Sequence, residues 1–276
     1  MRSLVNCIAI IIISSTLASC GGGGKSTSSV VDKGNFKAKS YESSLVGGLK
    51  DPFQKFGNEV VAELNRQYKL PSKDVLIVFK DCGTKNAFYD RNKSQVVMCY
   101  ELLIDMIATF NKTEDAESAY IFVLMHELSH AFVHQMSLPI VGKEEDSVDS
   151  ISTVLLIEDS KSKEERQYGA RAAILGGSYL LTKFNSNDIA WTDTHSIGPQ
   201  RLYNLVCWAG AGEPSVLANH NLASIYGDMA GSRFCKNEYT QIKSSTIKLL
   251  SPYRKVKLGK SINNEKGRYP KLDLEL

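Results

Sequence analysis

Five consecutive residues constrain this chain more than any others: His126-Glu127-Leu128-Ser129-His130, set inside the apolar run from Ala119 to Val133. On a helix, side chains four positions apart lie about 40° apart around the axis and ~6 Å along it. Both imidazoles therefore project from one face and can grip a single zinc ion. Glu127 then stands beside the metal. A water polarised by zinc needs a base to take its proton as it attacks a carbonyl, and a carboxylate next to the first ligand is placed for that role. With five His in the whole chain, a chance match to this pattern has odds of about one in a hundred. The pattern predicts a zinc hydrolase that holds one Zn2+ and uses Glu127 as general base.

A third ligand decides the subclass. A metzincin would carry a His where Met136 stands, and Gly in place of Val133 to let the chain turn, so that class is excluded. His134 lies one more turn along the same helix, ~12 Å from His126 by rise alone, too far to share the ion. It reads as a surface or partly satisfied histidine. Downstream, Glu144-Glu145-Asp146-Ser147-Val148-Asp149 leads into the apolar helical face of Ile151, Val154 and Leu155. Acids in a first turn suit any helix through its dipole. Glu145 and Asp149, however, stand four apart on one face. In such an E-x-x-x-D arrangement the Glu ligates the metal, and the Asp holds a metal-bound His by its second nitrogen. Glu145 is preferred over Asp146 or Asp149 as third ligand.

Around this centre the apolar spacing of Phe53, Phe56, Val60, Val61 and Leu64 predicts a helix over 52–68, stopped by Pro71. Val75 to Phe79 reads as a buried strand. Asn86 to Tyr89 and Ser94 to Cys99 read as a hairpin turning at Asp90 to Lys93. A strand just upstream of a metal helix can offer its edge to an extended peptide, although a plain sheet edge fits the same residues. Helices are expected over 100–110, from Asn111 or Thr113 to about Met136, after Gly142, over 164–184, from near Pro199, and over 239–253. Gly176-Gly177 marks a weak point or a close-packing site. The expected fold class is α+β and zincin-like, with a small sheet and edge hairpin packed on the metal helix, followed by a mostly helical C-terminal part.

A chain of 276 residues with 43% hydrophobic and 23% charged content suits one globular domain, and a net charge of +3 is too small to argue for nucleic acid. Residues 1–19 have one basic residue, an apolar stretch from Leu4 to Ile13 and small residues before Cys20, which reads as an export signal. Leu17-Ala18-Ser19-Cys20 resembles a bacterial lipobox, which implies cleavage before Cys20 and lipidation of its sulfur and amine. Gly21, instead of Asp, resembles the outer-membrane side of the enterobacterial sorting rule. The expected address is the bacterial envelope, at the outer membrane facing the periplasm. Residues 20–45 are expected as a flexible tether, 46–253 as the metallopeptidase domain and 254–276 as a basic solvated tail. Cys82, Cys99, Cys207 and Cys235 are an even set in an exported chain. Sequence proximity favours the pairs Cys82 with Cys99 and Cys207 with Cys235. A four-thiolate zinc site is the alternative, though no C-x-x-C pair exists.

The combination of H-E-L-S-H-A with Glu145 and Asp149 resembles the gluzincins, the thermolysin-like zinc peptidases. More closely, the chain resembles a bacterial metallopeptidase family filed as domain of unknown function 4344. The likeness runs through Cys82-Gly83, Asn86 to Asp90, Cys99-Tyr100-Glu101, the two metal segments, Asp193-x-His195, Gln200-Arg201-x-Tyr203-Asn204, Cys207 and Arg233-Phe234-Cys235-x-x-Glu238-Tyr239. It implies a zinc peptidase, an activity that for the family is itself inferred from the zinc motif. Peptidases of the CAAX prenyl protease type carry a His-Pro with an Arg six residues after the His. Here His195 and Arg201 repeat that spacing, with Ser196 in place of Pro. Either His195 and Arg201, with Asp193 behind them, stabilise the oxyanion of the reaction, or they form a structural polar network. The expected function is hydrolysis of peptide or protein substrates in the envelope. The alternative is a catalytically silent zinc-binding lipoprotein with an assembly role.

Overall fold

The computed structural model describes residues 30–183, 198–219 and 231–256. Three parallel strands and one antiparallel strand form a single sheet in the order β1-β2-β4-β3. β1 (Phe36–Ser40) and β2 (Val75–Lys80) are joined through helix α1 (Lys50–Gln67), as a parallel pair requires, and β2 pairs in parallel with β4 (Gln95–Cys99). β3 (Ala87–Asp90) turns back antiparallel on β4, so it forms one edge of the sheet. The hairpin turn is pinned by Asp90, whose Oδ1 accepts from the Lys93 N–H at 3.1 Å.

β1 corrects the expected boundary, because it lies inside the segment read as a tether over 20–45. Phe36, Ala38 and Ser40 alternate with Lys37 and Lys39, the period of a half-buried strand. The two lysines and the Ser/Gly-rich surroundings mask that period in the sequence. Phe36 is 2% exposed and meets the ring of Phe132 edge-on at 5.9 Å, while Phe132 in turn lies 4.7 Å from Tyr68. A tether would have no such anchor.

The helices follow in order: α2 (Tyr100–Phe110), α3 (Thr113–Gln135), α4 (Glu144–Glu158), α5 (Lys163–Thr182), α6 (Gly198–Gly212), the short α7 (Ser215–Asn219) and α8 (Arg233–Leu250). α3 is buried on nearly every side and packs against α2, α4, α5 and the hairpin strands. A helix apolar all round can only be central. Small residues let its neighbours close in. Ser129 and Ser152 share a hydrogen bond of 2.8 Å between α3 and α4, and Gly176 of α5 lies where any Cβ would overlap the Phe122 ring. The Gly176-Gly177 pair is thus a close-packing site. At its C-terminal end α3 is tied to the hairpin by Gln135, whose Nε2 donates to Ser94 Oγ at 2.7 Å and Tyr89 Oη at 3.0 Å.

Two disulfides have the expected pairing. Cys82–Cys99 joins the loop after β2 to the end of β4, with Cα atoms 5.5 Å apart, and Cys207–Cys235 joins α6 to α8 at 5.1 Å. With all four sulfurs paired, the four-thiolate zinc site is ruled out. The C-terminal boundary also moves. Arg254, expected in a solvated tail, is buried against Tyr68 and Asp159, donating to Asp159 Oδ1 at 2.7 Å and Oδ2 at 2.9 Å. Among the described residues no helix is long and apolar enough to cross a membrane.

Candidate metal centre

His126 and His130 sit mid-helix on α3, and Glu145 comes from the first turn of α4, which the turn at Gly142 (φ 92°) brings back onto α3. The three offer donor atoms that all lie within 4.8 Å of one another. Glu145 Oε2 is 3.1 Å from His126 Nε2 and 3.4 Å from His130 Nε2. Ligands held at ~2.1 Å from one tetrahedral ion are ~3.4 Å apart, so these spacings fit a divalent metal with two imidazoles and one carboxylate.

Each imidazole is also held from behind. Asp149 Oδ1 lies 2.8 Å from His126 Nδ1, and Glu144 Oε1 lies 2.7 Å from His130 Nδ1. Both rings therefore present Nε2 to the same point, because Nδ1 is engaged on the far side. Asp149 is almost fully buried and is clamped by Arg201, which donates Nε to Oδ2 and an Nη2 hydrogen to Oδ1, both at 2.8 Å. Glu144 also contacts His134 at 3.1 Å and Arg91 at 3.5 Å. His134 is thus partly satisfied on the rim, as its distance from His126 required.

The electrostatics follow from this arrangement. Burial penalises the His126 cation, but the hydrogen bonds to Asp149 and Glu145 overcome it and hold the imidazole up at about 10. For His130 burial is likewise outweighed by Glu145 and Glu144, and its pKa rises. Burial pushes the Asp149 carboxyl up, yet His126 and Arg201 together bring it down to about 2. Glu127 is buried and its pKa is raised, chiefly by desolvation, with the two imidazoles opposing. A backbone hydrogen bond from Tyr89 ties its carboxylate to β3.

These groups open into a cleft of about 770 Å³. The β3 residues Ala87, Phe88 and Tyr89 form one wall, Phe122 and Glu127 lie on the α3 side, and Tyr179 of α5 lines it too. Arg201 reaches the same cleft, but two of its nitrogens are committed to Asp149. A guanidinium bound bidentately to a buried carboxylate holds that carboxylate in place, as in the polar network expected as the alternative for Arg201. His195 and Asp193 lie outside the described residues, as do Cys20 and the export signal. The reading of the sequence missed Glu144 as the group behind His130. The Glu144-Glu145 doublet was the available signal, since adjacent acids at a helix start can each serve a different imidazole.

The fold and site together define a mixed α/β protein whose central helix and following helix converge two imidazoles and a carboxylate on one point beside a buried glutamate. The model of the family described as "Putative metallopeptidase", domain of unknown function 4344, matches residues 38–250, and the chain belongs to that family. Neither the curated proteins nor the solved structures give a match.

Proposed function

We propose that this chain is a zinc-dependent peptidase of the bacterial cell envelope, built on a zincin-like, gluzincin-type plan. The observation that carries the reading is the convergence of His126, His130 and Glu145 beside Glu127 at the cleft. Zinc is preferred because it accepts mixed imidazole and carboxylate ligands in a tetrahedron and leaves its fourth position open in catalytic sites. A zinc ion there supplies Lewis acidity, polarising a carbonyl and acidifying water. Glu127 takes the proton of the attacking water and returns it to the leaving amine. Its carboxylate is buried beside the two imidazoles and lines the cleft, the position such a base needs. Asp149 and Glu144 keep Nε2 of each imidazole turned to the ion, and Arg201 keeps Asp149 ionised and in place.

Among the described residues β3 pairs with β4 on one side alone, and its residues line the cleft, so its backbone is the support for an extended peptide or protein substrate. The proposal retains His195, with Asp193 before it, as donor to the oxyanion. A silent scaffold would have no use for a buried base at the centre, which favours the enzyme over the assembly role. The lipobox cysteine, Cys20, anchors the protein to the membrane, at the outer membrane facing the periplasm.

The mature protein should hold one zinc by elemental analysis and cleave an unfolded protein substrate. Glu127→Gln should abolish cleavage while keeping the zinc. Cys20→Ala should move the protein from the membrane fraction to the soluble one. A Glu127→Gln variant that cleaves as fast as the parent chain would overturn the mechanism.

A further inference from the structure

Beside the cleft, three elements meet on one carboxylate. Asp105 of α2 accepts from Lys85, which precedes β3, at 2.6 Å, and from the Tyr179 hydroxyl of α5 at 2.7 Å. Lys183, at the end of α5, pairs with Oδ2, the oxygen that also accepts from Tyr179, and lies over the Tyr179 ring, its Nζ 4.9 Å from the centroid. The cluster is asymmetric in a way a plain structural ion pair is not. The Asp105 side chain is 10% exposed, whereas those of Lys85 and Lys183 are 65% and 43% exposed, and both lysines line the cleft. The anion is covered and the two cations face the cleft.

Burial works against the charge on Asp105, but Lys183, Lys85 and Tyr179 hold its pKa far below the ordinary value. It stays ionised at any physiological pH, so two ammoniums against one carboxylate leave a net positive charge. The other basic side chains of the cleft lie near acids. Arg91 meets Glu144, Arg201 clamps Asp149, and Lys143 directly precedes Glu144 in the chain. Glu127, Glu144 and Glu145 belong to the metal site, where the charge of a bound ion would offset theirs.

We propose that Lys85 and Lys183, set by Asp105 and Tyr179, form a subsite that takes a carboxylate of the substrate, supplied either by an Asp or Glu side chain or by the C-terminus of the peptide. This rests on the peptidase reading above and names its substrate class. One cleft is lined by both the imidazoles and the two lysines, so a single bound substrate can reach both. The apolar side chains of Leu102, Phe122 and Leu180 line the cleft as well, to receive the apolar part of the chain.

The test uses the zinc-loaded protein and N-acetylated peptide pools in matched pairs, with one position after another set to Glu or Gln, and the C-terminus left free or amidated. Cleavage is read as kcat/KM, and binding is read in parallel on zinc-loaded Glu127→Gln. The acidic member of one pair should be favoured roughly five- to tenfold, as expected for partly exposed charges. The preference should shrink with salt. In the double variant Lys85→Gln/Lys183→Gln the ratio should fall to about one, and with both lysines changed to Glu it should invert. A preference that follows the Glu position identifies a side-chain carboxylate, and one that disappears on amidation identifies the C-terminus. If the double variant does not fold, Lys85→Gln alone, at an exposed side chain, gives the same trend at smaller amplitude. Equal acceptance of both members, or a preference that survives the lysine changes, overturns the subsite. A protein that neither cleaves nor binds any pool overturns the peptidase reading itself, a different result from equal acceptance.

Discussion

Glu144 Oε1 lies 2.7 Å from Nδ1 of His130, the same relation that Asp149 has to His126 at 2.8 Å. Both imidazoles are therefore oriented by a carboxylate of α4, and a third carboxylate of that helix, Glu145, faces the point where their other nitrogens converge. Six consecutive residues of α4 supply one ligand and the supports of the other two. Glu144→Ala should lower zinc affinity roughly 10- to 100-fold, as loss of a supporting carboxylate does, with stoichiometry still reaching one at saturation. Glu145→Ala should fail to reach that stoichiometry. Competition against a chromophoric chelator measures both, and equal affinities in parent and Glu144→Ala would show that His130 needs no support.

Arg201 is tested by stability rather than by rate. It is 8% exposed and is bound bidentately to Asp149, which is 2% exposed. Removing one partner of a buried pair leaves the other charge uncompensated, at a cost of about 3–5 kcal/mol. Arg201→Met should lower the unfolding free energy by that much, read from denaturant titration. Adding Asp149→Asn should recover part of the loss, because the stranded charge is gone. Additive losses in the double variant would refute the pairing.

The acid limit of the fold should be visible at Glu158, away from the metal. Burial raises its carboxyl, but Lys243 at 2.8 Å, Tyr239 at 2.9 Å and Arg166 at 3.4 Å outweigh that, and its pKa lies below the ordinary 4.5. A carboxyl with a depressed folded pKa contributes stability that is complete above its unfolded value and is lost as pH falls through the folded one. Glu158→Gln should therefore cost about 1–2 kcal/mol near pH 7, with the gap to the parent narrowing towards about pH 3. A gap of constant size across that range would mean that the charge of Glu158 contributes nothing.

The parts of the fold written in local periodicity were legible in the sequence: α1 from the spacing of Phe53, Phe56, Val60 and Leu64, β2 from Val75 to Phe79, and α3 from its unbroken apolar run. The proximity of Glu145 to both histidines was legible too, because a four-residue offset on a helix start is local information. β1 was not, since five residues containing two lysines carry little apolar signal until Phe132 and Tyr68 receive Phe36. The pairing of Arg201 was not legible for a different reason. Its partner Asp149 is 52 positions away, and no local spacing states which carboxylate a guanidinium will meet. The same holds for Lys85, Asp105 and Lys183, which come together only when α2 and α5 pack beside the hairpin.

His195 carries the last prediction, which rests on its sequence relation to Asp193 and to Arg201. With two nitrogens of Arg201 engaged by Asp149, the oxyanion role expected for the pair is tested at His195. Loss of one preorganised donor costs roughly 10²–10³ in turnover, so His195→Ala should fall by that factor while zinc occupancy and unfolding temperature stay near those of the parent. KM should change far less than kcat, because a donor to a developing charge acts in the transition state. If His195→Ala loses the zinc instead, His195 is a ligand and the assignment of Glu145 fails. If turnover is normal, His195 belongs to a structural network, and stabilisation of the oxyanion must come from another group in the cleft.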